Sequence, residues 1–140
     1  MLPISTAATT FKYERPELDR PKKNVWMCRT DILLATVQVM TKGGETHLHH
    51  HKHLDGFWMV LTGHARFYGD GDVLMADIGP NEGVLIPRGT NYWFEAVGSE
   101  PLELLSVEAA DRALRTADEL IDDVVVADPS KGVPTAANLQ

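Results

Sequence analysis

Five of the six histidines in this chain, His47, His49, His50, His51 and His53, fall within seven residues. They follow the pair Gly43-Gly44 and precede the apolar run Phe57-Trp58-Met59-Val60. Neutral imidazole is the commonest protein ligand for first-row transition metals, and its ordinary pKa of about 6.5 also suits proton transfer at neutral pH. Along a strand, side chains alternate faces and residues two apart lie about 6.6–6.8 Å apart. His47, His49, His51 and His53 are therefore in phase, and His50 turns the other way. A neighbouring pair (His47/His49, His49/His51 or His51/His53) can pinch one ion. Residues four apart are separated by about 13 Å and share an ion only across a bulge. Two imidazoles do not complete a site, so another strand and water must supply the rest.

Strands are what the surrounding sequence offers to hold such a cluster. Residues 32–40 are rich in β-formers, and short runs follow at 47–51, 57–61, 65–68, 73–78, 83–86, 92–96 and 102–107. Turn residues separate them: Leu61-Thr62-Gly63, Gly69-Asp70-Gly71-Asp72, Gly79-Pro80-Asn81 and Pro87-Arg88-Gly89. Many short strands with regular turn punctuation imply an all-β sandwich or barrel. Before them, residues 1–30 carry Pro3, Pro16 and Pro21, which break any long helix, and read as an arm. After them, the texture over 109–121 reads as a short helix within a 108–140 helix and tail. The expected organisation is an arm (1–30), a barrel (31–107) and that C-terminal segment.

Around the histidines the chain resembles the cupin superfamily. His49-His50-His51 fits the first motif's His-x-His, and Gly63 fits its closing glycine. The motif's glutamate falls on Gly56. Pro87-x-Gly89 fits the second motif, whose histidine position is Tyr92 and whose asparagine position is Ala96. The resemblance covers about residues 31–107. It implies a double-stranded β-helix, or jelly-roll barrel, often dimeric, with a metal inside. Two of the usual four ligands are missing here. On this resemblance His49 and His51 are expected as metal ligands, with His47 and Tyr92 as further candidates. The ion would be one divalent transition metal: iron, manganese, nickel or zinc.

Other residues suit the same pocket. Tyr92 and His53 are candidates to move protons, and Trp58, Phe94 and Arg66 to contact substrate: flat walls from the aromatics, an anion clamp from the arginine. Arg88 and Arg29 are weaker candidates for such a clamp. Asp55 adjoins the missing glutamate position but faces the opposite side of a regular strand. The formal net charge of -7 argues against nucleic acid as a partner. No apolar run reaches the length needed to cross a bilayer. One cysteine, Cys28, forbids an internal disulfide, and the N-terminus does not read as a signal peptide, so a cytoplasmic protein is expected. The functional expectation is a metal-dependent cupin enzyme acting on a small organic molecule by oxygenase, isomerase or lyase/cyclase chemistry, with neither nucleic acid nor membrane as a partner. The competing expectation is a non-catalytic binding or sensor cupin that needs no metal. A homodimer is expected in either case.

Overall fold

Period-two alternation builds the strands. The structure, a computed structural model, describes residues 2–111 and 123–125. The described residues form ten strands: β1 Lys22–Arg29, β2 Leu33–Met40, β3 Gly44–His51, β4 Leu54–Thr62, β5 Ala65–Tyr68, β6 Leu74–Ile78, β7 Gly83–Ile86, β8 Tyr92–Ala96, β9 Leu102–Ala110 and β10 Asp123–Val125. In β4, Leu54, Gly56, Trp58 and Val60 are buried, while Phe57 between them is exposed. Two five-stranded antiparallel sheets result, in the orders β1-β2-β9-β4-β7 and β10-β3-β8-β5-β6. This is the expected all-β jelly-roll architecture. No helix among the described residues is long and apolar enough to cross a membrane.

The interior divides by polarity. At one end Phe67, Phe94, Val60, Leu102 and Leu104 pack with Trp58 and Tyr92 in an apolar core. Fully burying a large apolar side chain contributes roughly 1.5–3 kcal/mol, so this cluster is the main source of cohesion. Strand β3 is different. Its inward positions are Glu45, His47, His49 and His51, all buried, and none of them is aliphatic.

Two features depart from the sequence reading. Lys22–Arg29, inside the segment expected as an arm, is strand β1 and pairs with β2. The prolines all precede it, so they end the irregular segment at Pro21 and leave Val25-Trp26-Met27 free to pair. The rest of the arm folds back on its own sheet. Ser5 N–H donates to the Arg29 carbonyl, and Tyr13 donates to Glu103 on β9. Burial and that carboxylate push the Tyr13 phenol above its ordinary pKa. At the other end, β9 runs to Ala110, so residues 109 and 110 of the expected helix are strand. The remainder of that helix lies outside the described residues, apart from Asp111.

Gly63, which turns β4 into β5, has φ +89, and a Cβ there would lie 2.6 Å from the Pro101 carbonyl oxygen. Gly63→Ala therefore combines left-handed strain with a backbone clash. It is expected to cost roughly 1–3 kcal/mol of stability. Urea unfolding checks this: the midpoint should fall with an unchanged slope.

Candidate active site

The register of β3 against β8 sets His49 opposite Tyr92. Their ring centroids lie 4.2 Å apart, and the Tyr92 hydroxyl reaches one residue pair along, 3.1 Å from His51 Nε2. The His47 ring lies against His49 with centroids 4.7 Å apart. The pairing with β8 shifts between Glu45 and His49, so β3 bulges where these polar side chains enter the barrel.

His49 is held at one ring nitrogen and lies beside a carboxylate at the other. Nδ1 is 2.9 Å from the His47 carbonyl oxygen, which can only accept, so Nδ1 carries the hydrogen. In a neutral ring Nε2 would then present a lone pair. What faces it, at 3.3 Å, is Glu45 Oε1. Both residues are buried, His49 at 0% and Glu45 at 4% exposure. A ring-nitrogen lone pair and a carboxylate oxygen this close, both out of water, repel unless a proton or another cation offsets them. The geometry thus calls for a positive charge shared by His49 and Glu45.

A cavity of about 40 Å³ adjoins these residues, with room for a few waters or the reactive end of a small molecule. Glu45, His51 and Tyr92 line it from one sheet. From the other come Thr36 and Gln38 of β2, Ser106 and Glu108 of β9, and Asn24 and Trp26 of β1. Trp58 and Tyr92 form the wall between cavity and apolar core.

The sequence candidates divide accordingly. His47, His49, His51, Tyr92 and Trp58 are brought together inside the barrel. His53 is not, because β3 ends at His51 and the chain is already turning toward β4. Phe94 is fully buried but stacks on Phe67 in the apolar core, one residue pair beyond the cavity lining. Arg66 stands on the outward face of β5, half exposed and paired with Asp77 at 3.4 Å, so it is not a pocket residue. Asp55 also faces outward, where it binds Arg88 through the backbone N–H at 2.9 Å and the guanidinium at 3.0 Å. Arg88 also reaches Asp111, and the adjacent Gly89 N–H donates to the His51 carbonyl, so this turn is fastened to the end of β3. Sequence reasoning missed Glu45 and Gln38. Extending the histidines' in-phase alternation by two residues would have found Glu45.

The same geometry tests the expected metal centre. The position of the family's glutamate, Gly56, lies under Trp58: a Cβ there would be 3.0 Å from two atoms of the indole ring. The position of its last histidine holds Tyr92, which bonds to His51 instead. Among the described residues no three His, Cys, Asp or Glu side chains are grouped to hold an ion. The usual four-ligand set does not fit these residues. The Glu45–His49 pair is the place where a cation is called for.

Comparison with known proteins adds the following. A family model described as "Cupin domain" matches residues 36–108. Mannose-1-phosphate guanylyltransferase of Escherichia coli is 33% identical over 75 residues, which are 51% of this chain and 15% of that protein. The chain thus spans about one seventh of that relative's length. An uncharacterised Klebsiella pneumoniae protein with a double-stranded β-helix domain superposes with a TM-score of 0.61 at 17% identity, covering 83% of this chain and 92% of that one. Bacillus subtilis oxalate decarboxylase, described with Mn(II) centres, superposes with a TM-score of 0.52 at 17% identity, over 68% of this chain and 24% of that one.

The Arg88 fastening carries a pH signature. The Arg88 backbone N–H, then its side chain, hold the Asp55 carboxyl below the ordinary carboxylate range. The stability this contributes is present above the ordinary pKa of about 3.9 and lost as pH falls through the depressed value. In urea titrations at stepped pH, the advantage of the native chain over Arg88→Ala should therefore be full near neutrality and shrink below about pH 4.

Proposed function

The chain belongs to the cupin family, and on that premise we propose that it is a small-molecule enzyme whose reaction is a proton transfer carried by the buried His49–Glu45 pair. The observation that carries this reading is the 3.3 Å approach of Glu45 Oε1 to His49 Nε2 while Nδ1 is fixed on the His47 carbonyl. A proton held between a carboxylate and an imidazole, beside a cavity, is the equipment of general acid–base catalysis. His51 and Tyr92, which line the cavity with Glu45, form a hydrogen-bonded pair there, so one pair can take a proton while the other gives one. Isomerisation and elimination next to a carbonyl are the reaction classes that use such a two-sided arrangement.

A second reading places one divalent transition metal at the same pair, because a cation relieves two facing lone pairs as a proton does. Glu45 and His49 would hold it, with His51 adjacent, and the metal would supply Lewis-acid chemistry. The backbone bond at His49 Nδ1 favours this reading too, since metal-bound histidines commonly donate their other N–H to a carbonyl. A homodimer belongs to the proposal as well: Phe57 and Leu85, register partners on β4 and β7, are both exposed and offer an apolar surface.

Incubation with a panel of small hydroxy-carbonyl compounds in D₂O, followed by proton NMR, tests the first reading. Catalysed exchange of carbon-bound hydrogen should fall by about 10²–10⁴-fold in Glu45→Gln and His49→Gln variants that remain folded. Elemental analysis of the same untagged proteins decides the second. Near one equivalent of metal, lost in both variants, would favour the metal. No exchange on any compound would leave a binding module and reject the proton-transfer reading.

A further inference from the structure

The cavity contains hydrogen-bonding groups that the proton-transfer pair does not use. Trp58 is 1% exposed and its Nε1–H has no partner among the described residues. Gln38 is 7% exposed and its Oε1 likewise has none. Both residues line the cavity, from different strands of one sheet. Leaving buried polar groups unsatisfied costs about 1–3 kcal/mol each, so their presence in one cavity wall calls for a ligand that satisfies them.

We propose that Trp58 and Gln38 form the recognition site for an uncharged, hydroxyl-bearing small molecule. The chemistry of the wall selects that class. The indole N–H only donates and therefore needs an acceptor oxygen. The Gln38 amide oxygen accepts and needs a donor, and an amide turned the other way would still pair with a hydroxyl, which does both. An anionic group is disfavoured: a carboxylate has no hydrogen of its own for the Gln38 oxygen, any anion meets Glu45 and Glu108, and among the described residues no Lys or Arg lines the cavity to neutralise it. Trp58, Trp26 and Tyr92 supply ring faces for the carbon skeleton. This recognition deepens the proposed function by naming the substrate class, and it rests on that cavity being the reaction site.

Glycolamide and glycolate test it, being nearly the same shape and differing in charge. The readout is the indole ¹H–¹⁵N resonances of the ¹⁵N-labelled full chain, with the Trp58 signal identified by its loss in Trp58→Phe. Glycolamide should move the Trp58 signal saturably, and glycolate and inorganic phosphate at equal concentration should not. Gln38→Met, which keeps length and removes the amide, should weaken glycolamide binding about five- to tenfold. If that variant does not fold, Trp58→Phe serves, with the Trp26 indole as reporter and the same weakening expected. Equal or stronger binding of glycolate, or no saturable shift with glycolamide, would overturn the proposal. Binding is read without turnover or metal, so glycolamide binding without hydrogen exchange would reject the proton-transfer reading alone.

Discussion

Glu45, His47, His49 and His51 project from one strand into the barrel, and each leaves water to do so. Burying ionisable groups is costly unless they are paired and hydrogen-bonded. The surrounding structure supplies those partners. The His47 carbonyl fixes one nitrogen of His49, Glu45 lies 3.3 Å from the other, and Tyr92 reaches His51 from the neighbouring strand. A cupin with a full ligand set offsets that cost with a metal; here the side chains offset much of it among themselves.

The apolar core makes that arrangement affordable. Trp58, Tyr92, Phe67 and Phe94 pack as a continuous set of rings, and Trp58 and Tyr92 turn their other sides to the cavity. Gly56 is what lets Trp58 lie there, because a side chain at 56 would occupy the space of the indole. The loss of the family's carboxylate and the presence of a buried indole are therefore one structural change. An aromatic wall and a single N–H donor thus stand beside the position of the family's acidic ligand. Around the rim, the Arg88 turn fixes the end of β3 from outside without entering the cavity.

Much of the barrel was legible in the sequence because its strands obey simple alternation and its turns carry glycine, asparagine and proline. The strands at 65–68, 83–86 and 92–96 were read at their observed bounds. The in-phase histidines were legible for the same reason, since phase follows from period two. Glu45 obeys the same phase and was overlooked because it is not a histidine; its 3.3 Å approach to His49 is set across a bulge. The rest of what escaped notice depends on neighbours that are distant in sequence or on local register. Gln38 matters because β2 and β4 are both joined to β9 in one sheet, which brings it into a wall with Trp58. Arg66 and His53 were misjudged through local register: one faces out from β5, the other lies past the end of β3. β1 was hidden by prolines that precede it rather than interrupt it.

The claim most exposed to refutation is that a positive charge is shared between His49 and Glu45. Long-range ¹H–¹⁵N NMR on histidine-labelled protein at neutral pH reads the state of both ring nitrogens, with His49→Gln providing the assignment. A protonated Nδ1, together with an Nε2 that is protonated, hydrogen-bonded to a protonated Glu45 or bound to a metal, is the result predicted by the geometry. A neutral ring with its single hydrogen on Nε2 would contradict it. The pair would then be an ordinary hydrogen bond from imidazole to carboxylate, and neither a stored proton nor a cation would be needed.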